Sequence, residues 1–457
     1  MSKLTCYGGA GSTTGANFLL EFDNSPTSPR LRGARKILID CGMLQGEGDT
    51  DEHNKKVFPY DASSIDVLYV THAHIDHIGL IPKLYKEGFR GEIYSTPETK
   101  SIAGLLLEDA AKINSYDENP IYVQNDVADA LNLWKTVKYH EVLDFYGIKV
   151  EFYNAGHILG SAMVKFTFPS GKTMLFTGDL GNSPSPILED LEKIEGLDYL
   201  LIESVYGDRN HESKEERDEK FDRIVRESIE RGGTLLIPAF SLERTQVLLY
   251  KLDNLFESKK VPSVPVFLDS PLAIRLTRIY ERVTDLYNQK ALSDMKAGDE
   301  IFKFNELKET LSVRDSKEIA GVEGAKIIIA GSGMSTAGRI VGHEERYLPD
   351  PNSTILLVGY QAHGTPGRMI EEGVKEIMIN NKRVLLKARV EKIDGFSAHA
   401  DSDTLVDFVS TSAKTLKKVF VAMGEPKSSI FLAQRLRDEL GVEAIATEKG
   451  KSYELNL

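Results

Sequence analysis

The sequence predicts an α/β protein in which a strand-rich, four-layer α/β domain is interrupted by a second α/β domain with a parallel sheet. The chain has 457 residues, which is too long for one ordinary hydrophobic core. Up to about residue 200, most segments are short, apolar and β-rich, and they end in Gly, Asp or His. From about residue 210, predicted strands and helices alternate, as they do in parallel sheets.

The predicted elements fall into three parts. The first has strands at 16–22, 36–39, 67–70, 149–153, 163–168 and 173–176, helices near 78–86 and 99–111, and an exposed loop at 24–35. The second has strands at 234–237, 265–268, 326–329 and 354–358, with helices at 212–231, around 244–246, and from after residue 268 to about 287. Short strands return from about Arg389, including 418–422, before an amphipathic helix near 428–440. We therefore expect residues 1–208 and 390–457 to form one domain, with residues 209–389 inserted.

Composition limits the possible functions. No run of about 18 apolar residues occurs, which argues against a membrane span. A first strand is expected close to Met1, so we expect neither a leader nor a further domain before it. Two cysteines do not make a disulfide framework and fit a cytoplasmic protein. The net charge of −13 argues against binding nucleic acid over a broad basic surface, but a local groove with bound metal stays possible.

A cluster of possible metal ligands follows the apolar segment that ends at Val70: His72, His74, Asp76 and His77. Zinc binds neutral imidazole nitrogen and carboxylate oxygen. Two histidines that are two residues apart in an extended segment point the same way, so His72 and His74 can share one metal. Asp76 and His77 stand where a helix is expected to begin, and they can turn to a second metal. Three of only ten histidines fall within six residues, which a merely solvated loop would not produce.

These residues resemble the H-x-H-x-D-H signature of the metallo-β-lactamase superfamily. Asp40 in Leu38–Gly42, His157 in Ala155–Ile158 and Asp179 in Thr177–Leu180 match the remaining motifs in order. The resemblance implies a four-layer αββα fold and two zinc ions. It implies that His72, His74 and His157 bind one zinc, that Asp76 and His77 bind the other, and that Asp179 bridges them. Asp40 would orient a zinc-binding histidine by a hydrogen bond.

Motifs in and around the middle segment resemble the β-CASP nucleases of this superfamily. They stand at 200–209, 237–246, 269–273, 331–334, 359–365 and 396–401. The resemblance is closest to bacterial and archaeal relatives of the endonuclease subunit that cleaves pre-mRNA before polyadenylation. It implies a ribonuclease acting on single-stranded RNA, with its active site between the two domains. The sequence leaves a homodimer open.

The implied chemistry uses a metal-bound hydroxide as the nucleophile. His399, held by Glu203, would be the general acid that protonates the leaving oxygen. Ser397, Ser332 and Arg368 are candidate ligands of substrate phosphates. Ordinary capping or turn roles stay open for Glu203 and Ser332, and a structural role stays open for Arg244 and Arg368.

One position departs from the family. RNA-cleaving members carry a histidine where this chain has Met423, and no histidine follows His399. A thioether is a poor ligand for Zn(II), so we expect a second zinc that binds weakly, with Met423 beside it. The departure keeps two alternatives open: a DNA nuclease of the same family, or a catalytically weak scaffold subunit. A small-molecule hydrolase of the lactamase kind would not need the inserted domain or the Ser397–His399 motif.

Overall fold

The computed structural model describes residues 2–23, 34–46, 50–359, 361 and 364–457. Most of the loop expected at 24–35 lies outside the described residues, and so does His363 of the motif at 359–365. The chain divides into two compact units. The first contains residues 1–185, 190–210 and 399–457, and the second contains residues 186–189 and 211–398.

The first part of the chain, up to Asn210, contains eleven of the described strands and five of the described helices. The strands are β1 (Ser2–Gly8), β2 (Asn17–Asp23), β3 (Ala34–Ile39), β4 (Val67–Tyr69), β5 (Glu92–Ser95), β6 (Trp134–Thr136), β7 (Leu143–Phe145), β8 (Ile148–Asn154), β9 (Ala162–Thr167), β10 (Thr173–Phe176) and β11 (Tyr199–Ile202). The helices are α1 (Thr50–Lys55), α2 (Ile75–Ile78), α3 (Ile81–Lys86), α4 (Pro97–Asn114) and α5 (Gln124–Asn132).

The middle part of the chain alternates strands with helices. Its strands are β12 (Thr234–Pro238), β13 (Val266–Asp269), β14 (Leu307–Glu309), β15 (Lys326–Ala330), β16 (Thr354–Leu357), β17 (Glu376–Ile379), β18 (Lys382–Leu385) and β19 (Arg389–Lys392). Its helices are α6 (Lys214–Glu230), α7 (Arg244–Glu257), α8 (Pro271–Tyr280), α9 (Gln289–Lys296), α10 (Val313–Glu318), α11 (Ile340–Tyr347) and α12 (Pro366–Glu371). The last part returns to the first unit with α13 (Ser402–Ser410), β20 (Lys418–Val421), α14 (Pro426–Leu440), β21 (Ala444–Ala446) and β22 (Ser452–Leu455).

Two seven-stranded sheets form the centre of the first unit, in the orders β22-β1-β2-β3-β4-β5-β6 and β21-β20-β11-β10-β9-β8-β7. Apolar side chains of both sheets make one buried core, in which the rings of Tyr69 and Phe166 meet edge to face with centroids 5.4 Å apart. Leu405 of α13 and Leu432 of α14 pack on the second sheet, while α4 contacts β6 of the first. The expected four-layer αββα arrangement is therefore confirmed.

The second unit is built on one parallel six-stranded sheet, in the order β14-β13-β15-β12-β16-β19. Leu236, Ile328 and Ile355 of this sheet are fully buried in a core that includes Ile340 of α11 and Ile370 of α12. Strands β17 and β18, which lie between β16 and β19 in the sequence, form a separate antiparallel hairpin. The parallel-sheet fold class predicted for the middle segment is confirmed.

Two details differ from the sequence-based expectations. The helix expected to reach about residue 287 ends at Tyr280, where the Tyr287 hydroxyl donates a hydrogen bond to the Tyr280 carbonyl at 2.8 Å. Strand β19 pairs with β16, with Arg389 opposite Thr354. The second unit therefore runs past the boundary expected at residue 390, because β19 completes its sheet.

Two further observations concern the cysteines and the lengths of the described helices. Cys6 and Cys41 are both buried free thiols. None of the described helices is long and apolar enough to cross a bilayer.

Candidate metal centre and active site

The candidate site of the first unit lies where several strands end. Asp40 follows β3 and His72 follows β4, and these two strands are parallel neighbours. In the second sheet, His157, Asp179 and Glu203 follow β8, β10 and β11, which all run in one direction because β9 is antiparallel to both β8 and β10. Loops at the carboxyl ends of strands with a common direction share one edge of a sheet. The topology therefore brings together polar residues that are distant in sequence.

Three of these residues, together with His74 at the start of α2, bring one ligand atom each to a common group. His72, His74, His157 and Asp179 form a group whose atoms all lie within 4.8 Å of one another. His74 Nδ1 is 3.1 Å from His72 Nε2 and 3.2 Å from His157 Nε2. Asp179 Oδ2 is 3.3 Å from His72 Nε2 and 3.6 Å from His157 Nε2. Ligands about 2.1 Å from a tetrahedral zinc lie about 3.4 Å apart, so these four distances match the ligand separations of a tetrahedral metal site.

A second set of atoms surrounds the other oxygen of Asp179. His77 Nε2 is 3.4 Å from Asp179 Oδ1 and 4.0 Å from Asp76 Oδ2. His77 Nε2 and Asp179 Oδ1 are both buried, and neither has a hydrogen-bond partner among the described residues. Buried polar atoms without partners are costly. A cation held by Asp76, His77 and Asp179 would satisfy both of them.

Thr71, which the sequence reasoning missed, connects the histidines to Asp40. Its hydroxyl donates to Asp40 Oδ2 at 2.8 Å and its amide donates to Asp40 Oδ1 at 2.8 Å. The same hydroxyl is 3.1 Å from His72 Nδ1, while His77 Nδ1 is 2.8 Å from Asp40 Oδ2. Both histidines therefore carry their proton on Nδ1, which leaves each Nε2 lone pair for a metal. The only sequence signal for Thr71 was its place directly before His72.

Close approach of two loops needs a glycine next to Asp179. Gly178 has a φ of +54°, and a Cβ added there would lie 2.6 Å from the Thr71 Cβ. A larger residue would push the loop that carries Asp179 away from the loop that carries His72. Gly178 thus permits the contact that sets the ligand distances.

The electrostatics of the centre also fit a cation. Burial lowers the pKa of His72, and it holds the pKa of His74 and of His157 well below the ordinary value, so these rings are neutral and able to bind metal. Burial opposes protonation of His77, but Asp179 and Asp40 raise its pKa well above the ordinary value. The two carboxylates therefore favour positive charge at this position, either a proton on His77 Nε2 or a cation that takes the place of that proton.

The acidic residues of the centre are Asp40, Asp76, Asp179 and Glu203, and their ion pairs among the described residues are with histidine alone. Buried carboxylates need a compensating cation. On these observations the residues present fit a metal centre.

Beside this centre lies a histidine–carboxylate pair. His399 Nδ1 is 3.3 Å from Glu203 Oε1 and 3.9 Å from Asp179 Oδ2. Glu203 is fully buried and accepts the Leu180 amide at 2.6 Å. Burial lowers the pKa of His399, but the Glu203 carboxylate outweighs it and raises that pKa to about 9. The imidazole can therefore hold two protons at neutral pH.

The backbone holds His399 in this position. Residues Gly181 and His399 form an antiparallel bridge, and the Ala400 amide donates to the Leu180 carbonyl at 2.7 Å. Helix α13 begins directly afterwards, with the Asp401 side chain accepting the Thr404 amide. The ring of His399 is 4.6 Å from that of His157, centroid to centroid.

Met423 follows β20, which is parallel to β11. It is buried in the core between the two sheets, with a φ of +46°. A Cβ added at Gly9 would lie 2.4 Å from its sulfur, so the thioether packs tightly against that glycine. This is a packing role for Met423, and its expected place beside a second metal stays a prediction.

The three candidate phosphate ligands belong to the second unit and make local contacts. Ser332 Oγ is 2.9 Å from Thr336 Oγ1. Arg368 Nε donates to Glu372 at 2.7 Å, and the Ser397 amide donates to the Asp394 carbonyl at 3.1 Å. Arg244, for which the sequence leaves a structural role open, is buried and donates to the Val358 carbonyl at 2.7 Å.

Three family models match successive parts of the chain. Residues 31–192 match the metallo-beta-lactamase superfamily domain, residues 245–370 match the Beta-Casp domain, and residues 383–447 match the Zn-dependent metallo-hydrolase RNA specificity domain. Together with the αββα fold and the buried histidine and aspartate cluster, these matches define a metal-dependent hydrolase.

Comparison with individual proteins narrows this class. Ribonuclease TTHA0252 of Thermus thermophilus is 33% identical over 434 residues, which cover 95% of this chain and 96% of that protein. An RNase J-like protein of Methanocaldococcus jannaschii is 32% identical and covers 91% and 93%. Transcription termination factor FttA of Methanosarcina mazei is 31% identical and covers 97% and 70%. The chain belongs to the β-CASP family of the metallo-β-lactamase superfamily.

A solved structure of a protein of unknown function from Enterococcus faecalis shares the fold. The TM-score is 0.57 at 13% identity, over 99% of this chain and 100% of the other. At this identity the likeness concerns the fold alone.

Proposed function

We propose that the protein is a zinc-dependent ribonuclease that hydrolyses phosphodiester bonds of single-stranded RNA. The observation that carries the proposal is the pair of His399 and Glu203, 3.3 Å apart, next to the histidine and aspartate cluster. Hydrolases of many substrates use such a cluster, but expulsion of an alkoxide from a phosphodiester also needs a proton donor. Relatives named ribonuclease and RNase J-like protein support the choice of RNA.

Two sets of residues would bind the two zinc ions. His72, His74 and His157 with Asp179 would hold one zinc, and Asp76 and His77 with the other oxygen of Asp179 would hold a second. Bound zinc supplies a water that is nucleophilic at neutral pH, together with positive charge beside the phosphate. Asp40 contacts His77 directly and reaches His72 through the hydroxyl of Thr71. It thereby keeps the Nε2 lone pair of each of these two histidines available.

His399 is the proton donor in this proposal. Its Nδ1–H donates to Glu203, so its Nε2–H is left for the leaving oxygen of the ester that breaks. The Glu203 carboxylate keeps the ring protonated at neutral pH, as the pKa of about 9 requires. Glu203 is itself held by the amides of Leu180 and Val205, so the donor keeps its orientation.

Substrate phosphates would bind to Ser397, Ser332 and Arg368 of the second unit. Arg368 would then give up its ion pair with Glu372 to bind a phosphate. This ion pair is exposed, so losing it lowers the stability of the protein very little. An arginine offers two parallel donors to a phosphate and so also orients it.

Cleavage of matched substrates tests the proposal. Zinc-loaded protein would be incubated with labelled single-stranded RNA and with DNA of the same sequence, and Asp179→Ala would serve as the metal-deficient control. We expect RNA to be cleaved faster than DNA, and neither to be cleaved by the control. Faster cleavage of DNA would favour the DNA nuclease that Met423 leaves open, and cleavage of neither substrate by zinc-loaded wild type would favour a scaffold.

A further inference from the structure

The parallel sheet of the second unit contains a point where two neighbouring loops diverge. Strands β12 and β15 are parallel neighbours. From β12 the chain crosses to β13, towards the β14 end of the sheet, whereas from β15 it crosses to β16, towards the β19 end. Such crossovers are right-handed, so helices α7 and α11 leave the sheet towards opposite faces. In open parallel sheets, ligands bind at the carboxyl ends of the strands where loops diverge in this way.

Hydroxyl groups gather at the carboxyl ends of β12, β13 and β15. Ser241 follows β12, Ser270 follows β13, and Gly331 follows β15. A Cβ added at Gly331 would lie 3.7 Å from Ser241 Oγ and from Ser270 Oγ, and these two oxygens are 3.3 Å apart. A hydrogen bond between two hydroxyls uses only one of their two protons, so this pair can also donate to a ligand. The residue after Gly331 is Ser332, one of the candidate phosphate ligands.

Phe240 adds an aromatic ring at the carboxyl end of β12. The residue is 45% exposed, and among the described phenylalanines only Phe431 is exposed to a similar degree. One side of the Phe240 ring rests on the backbone of Gly333, because a Cβ added there would lie 2.9 Å from Cδ2 and 3.0 Å from Cε2 of the ring. A glycine at position 333 thus lets the main chain support the ring, while the exposed part of the ring faces solvent.

The backbone on both sides of this contact is held by hydrogen bonds. The Phe240 carbonyl accepts the Thr245 hydroxyl at 2.7 Å, and the Gly333 carbonyl accepts the side-chain amide of Gln361 at 3.0 Å. An aromatic ring that is already supported and fixed in this way loses little freedom when a flat partner stacks on it. Preorganisation of this kind strengthens binding.

A base of an unpaired nucleic-acid strand is the partner that fits both the ring and the hydroxyls. Every base has a flat face, and proteins hold single strands by stacking bases on exposed aromatic side chains. The ribose and phosphate of the same nucleotide need hydrogen-bond partners, which Ser241, Ser270 and Ser332 can supply. An apolar side chain of a partner protein would instead leave these hydroxyls without partners. Bases in a duplex are already paired and stacked, and they are not free to bind the ring.

We infer that Phe240 is a stacking platform for one base of single-stranded RNA, and that it forms a nucleotide subsite with the hydroxyls beside it. The inference rests on the proposed function, because it takes RNA as the substrate. It assigns part of the selectivity for unpaired RNA to a single residue of the second unit. Phe240 positions the strand and takes no part in breaking the ester bond.

Binding of RNA that contains 2-aminopurine tests this subsite, because the emission of this base is quenched when it stacks on an aromatic ring. The parent protein is zinc-loaded His399→Ala, which lacks the proposed proton donor and leaves the RNA intact during a titration. In this background, Phe240→Leu should weaken binding of single-stranded RNA about 5- to 150-fold, as expected for the loss of one stacked base. It should also abolish the quenching that the parent protein causes. Phe240→Tyr keeps the ring and should retain both the affinity and the quenching.

Phe431→Leu is the matched control. Phe431 is 47% exposed, close to the value for Phe240, but it belongs to the first unit. This variant should bind and quench like the parent protein. The inference is overturned if the parent protein does not bind RNA, if Phe240→Leu binds and quenches as the parent does, or if Phe240→Tyr loses as much affinity as Phe240→Leu.

Cleavage of RNA by zinc-loaded wild type is measured separately, so that the two proposals can fail independently. Cleavage by wild type, together with unchanged RNA binding by Phe240→Leu, overturns the subsite alone. Quenching that depends on Phe240, without cleavage by wild type, overturns the proposed ribonuclease activity and supports the subsite.

Discussion

Replacing Glu203 by glutamine should change the pH dependence of cleavage without removing zinc. Glutamine has nearly the same shape, and its carbonyl can still accept the Leu180 amide that Glu203 accepts at 2.6 Å. What it removes is the negative charge 3.3 Å from His399 Nδ1. Glu203 and His399 lie outside the ligand group of His72, although with Asp179 they form a neighbouring group of their own. We expect the metals held by the two proposed ligand sets to stay bound.

The size of the effect follows from the pKa of His399. Burial lowers this pKa and Glu203 raises it, with a net value of about 9. With glutamine present, and with Asp179 neutralised by metal, the pKa should fall to the ordinary 6.5 or below. At pH 7.5 the protonated fraction then drops from about 97% to about 9%, so cleavage slows about tenfold. At pH 5.5 the ring is protonated in both proteins and the rates should converge.

The assay is the initial rate of RNA cleavage by zinc-loaded wild type and Glu203→Gln between pH 5.5 and 8.5, with zinc content measured by mass spectrometry. His399→Ala is the control for complete loss of the proton donor and should be slower by about 10²–10⁴-fold. Parallel pH profiles of wild type and Glu203→Gln, at equal zinc content, would refute the role given to this pair.

Three further substitutions test other parts of the molecule. Asp179→Ala should lose both metals whereas His399→Ala keeps them, because only Asp179 has an oxygen in each ligand set; equal zinc loss would contradict this division. Met423→His should raise zinc content towards two per chain and increase RNA cleavage; if wild type already binds two zincs tightly, the expected weak site is wrong. Burial raises the pKa of Glu344 from 4.5 to about 8, so its contribution to stability is full below pH 4.5 and is lost as pH rises towards 8. Glu344→Gln should therefore lose less stability than wild type between pH 5 and pH 8 in urea unfolding, and unchanged pH dependence would show that Glu344 does not titrate in this range.

The sequence predicted the fold class because strand ends are marked by residue type. Segments such as 67–70 and 173–176 are continuous apolar runs, as fully buried strands require. The ends predicted for these two strands lie within one residue of the observed ends of β4 and β10. The helix expected to run to about residue 287 ends at Tyr280, and the Tyr287 hydroxyl donates to the Tyr280 carbonyl, a contact that no local residue pattern indicates. The membership of β19 was missed because four half-buried residues carry no mark of the strand that they join.

The candidate site was predictable to the extent that its residues are close in the chain. His72, His74, Asp76 and His77 suggested a metal from spacing alone, whereas His157 and Asp179 needed the family resemblance. Thr71 could not be found in either way, because its role depends on the distance from its hydroxyl to Asp40 and to His72. Such contacts between loops are set by the packing of two sheets, which the order of residues does not encode locally.

The pairing of β1 with β22, which sets Ser2 opposite Leu455, has a consequence for how the protein is made on the ribosome. All six strands of the parallel sheet lie between residues 234 and 392, so that sheet can assemble while β22 is still unsynthesised. The two large sheets must wait for β20, β21 and β22 before every strand has its neighbour. His399 emerges after all of the residues around His72, and the nascent chain therefore gains its metal-binding side chains well before its proton donor.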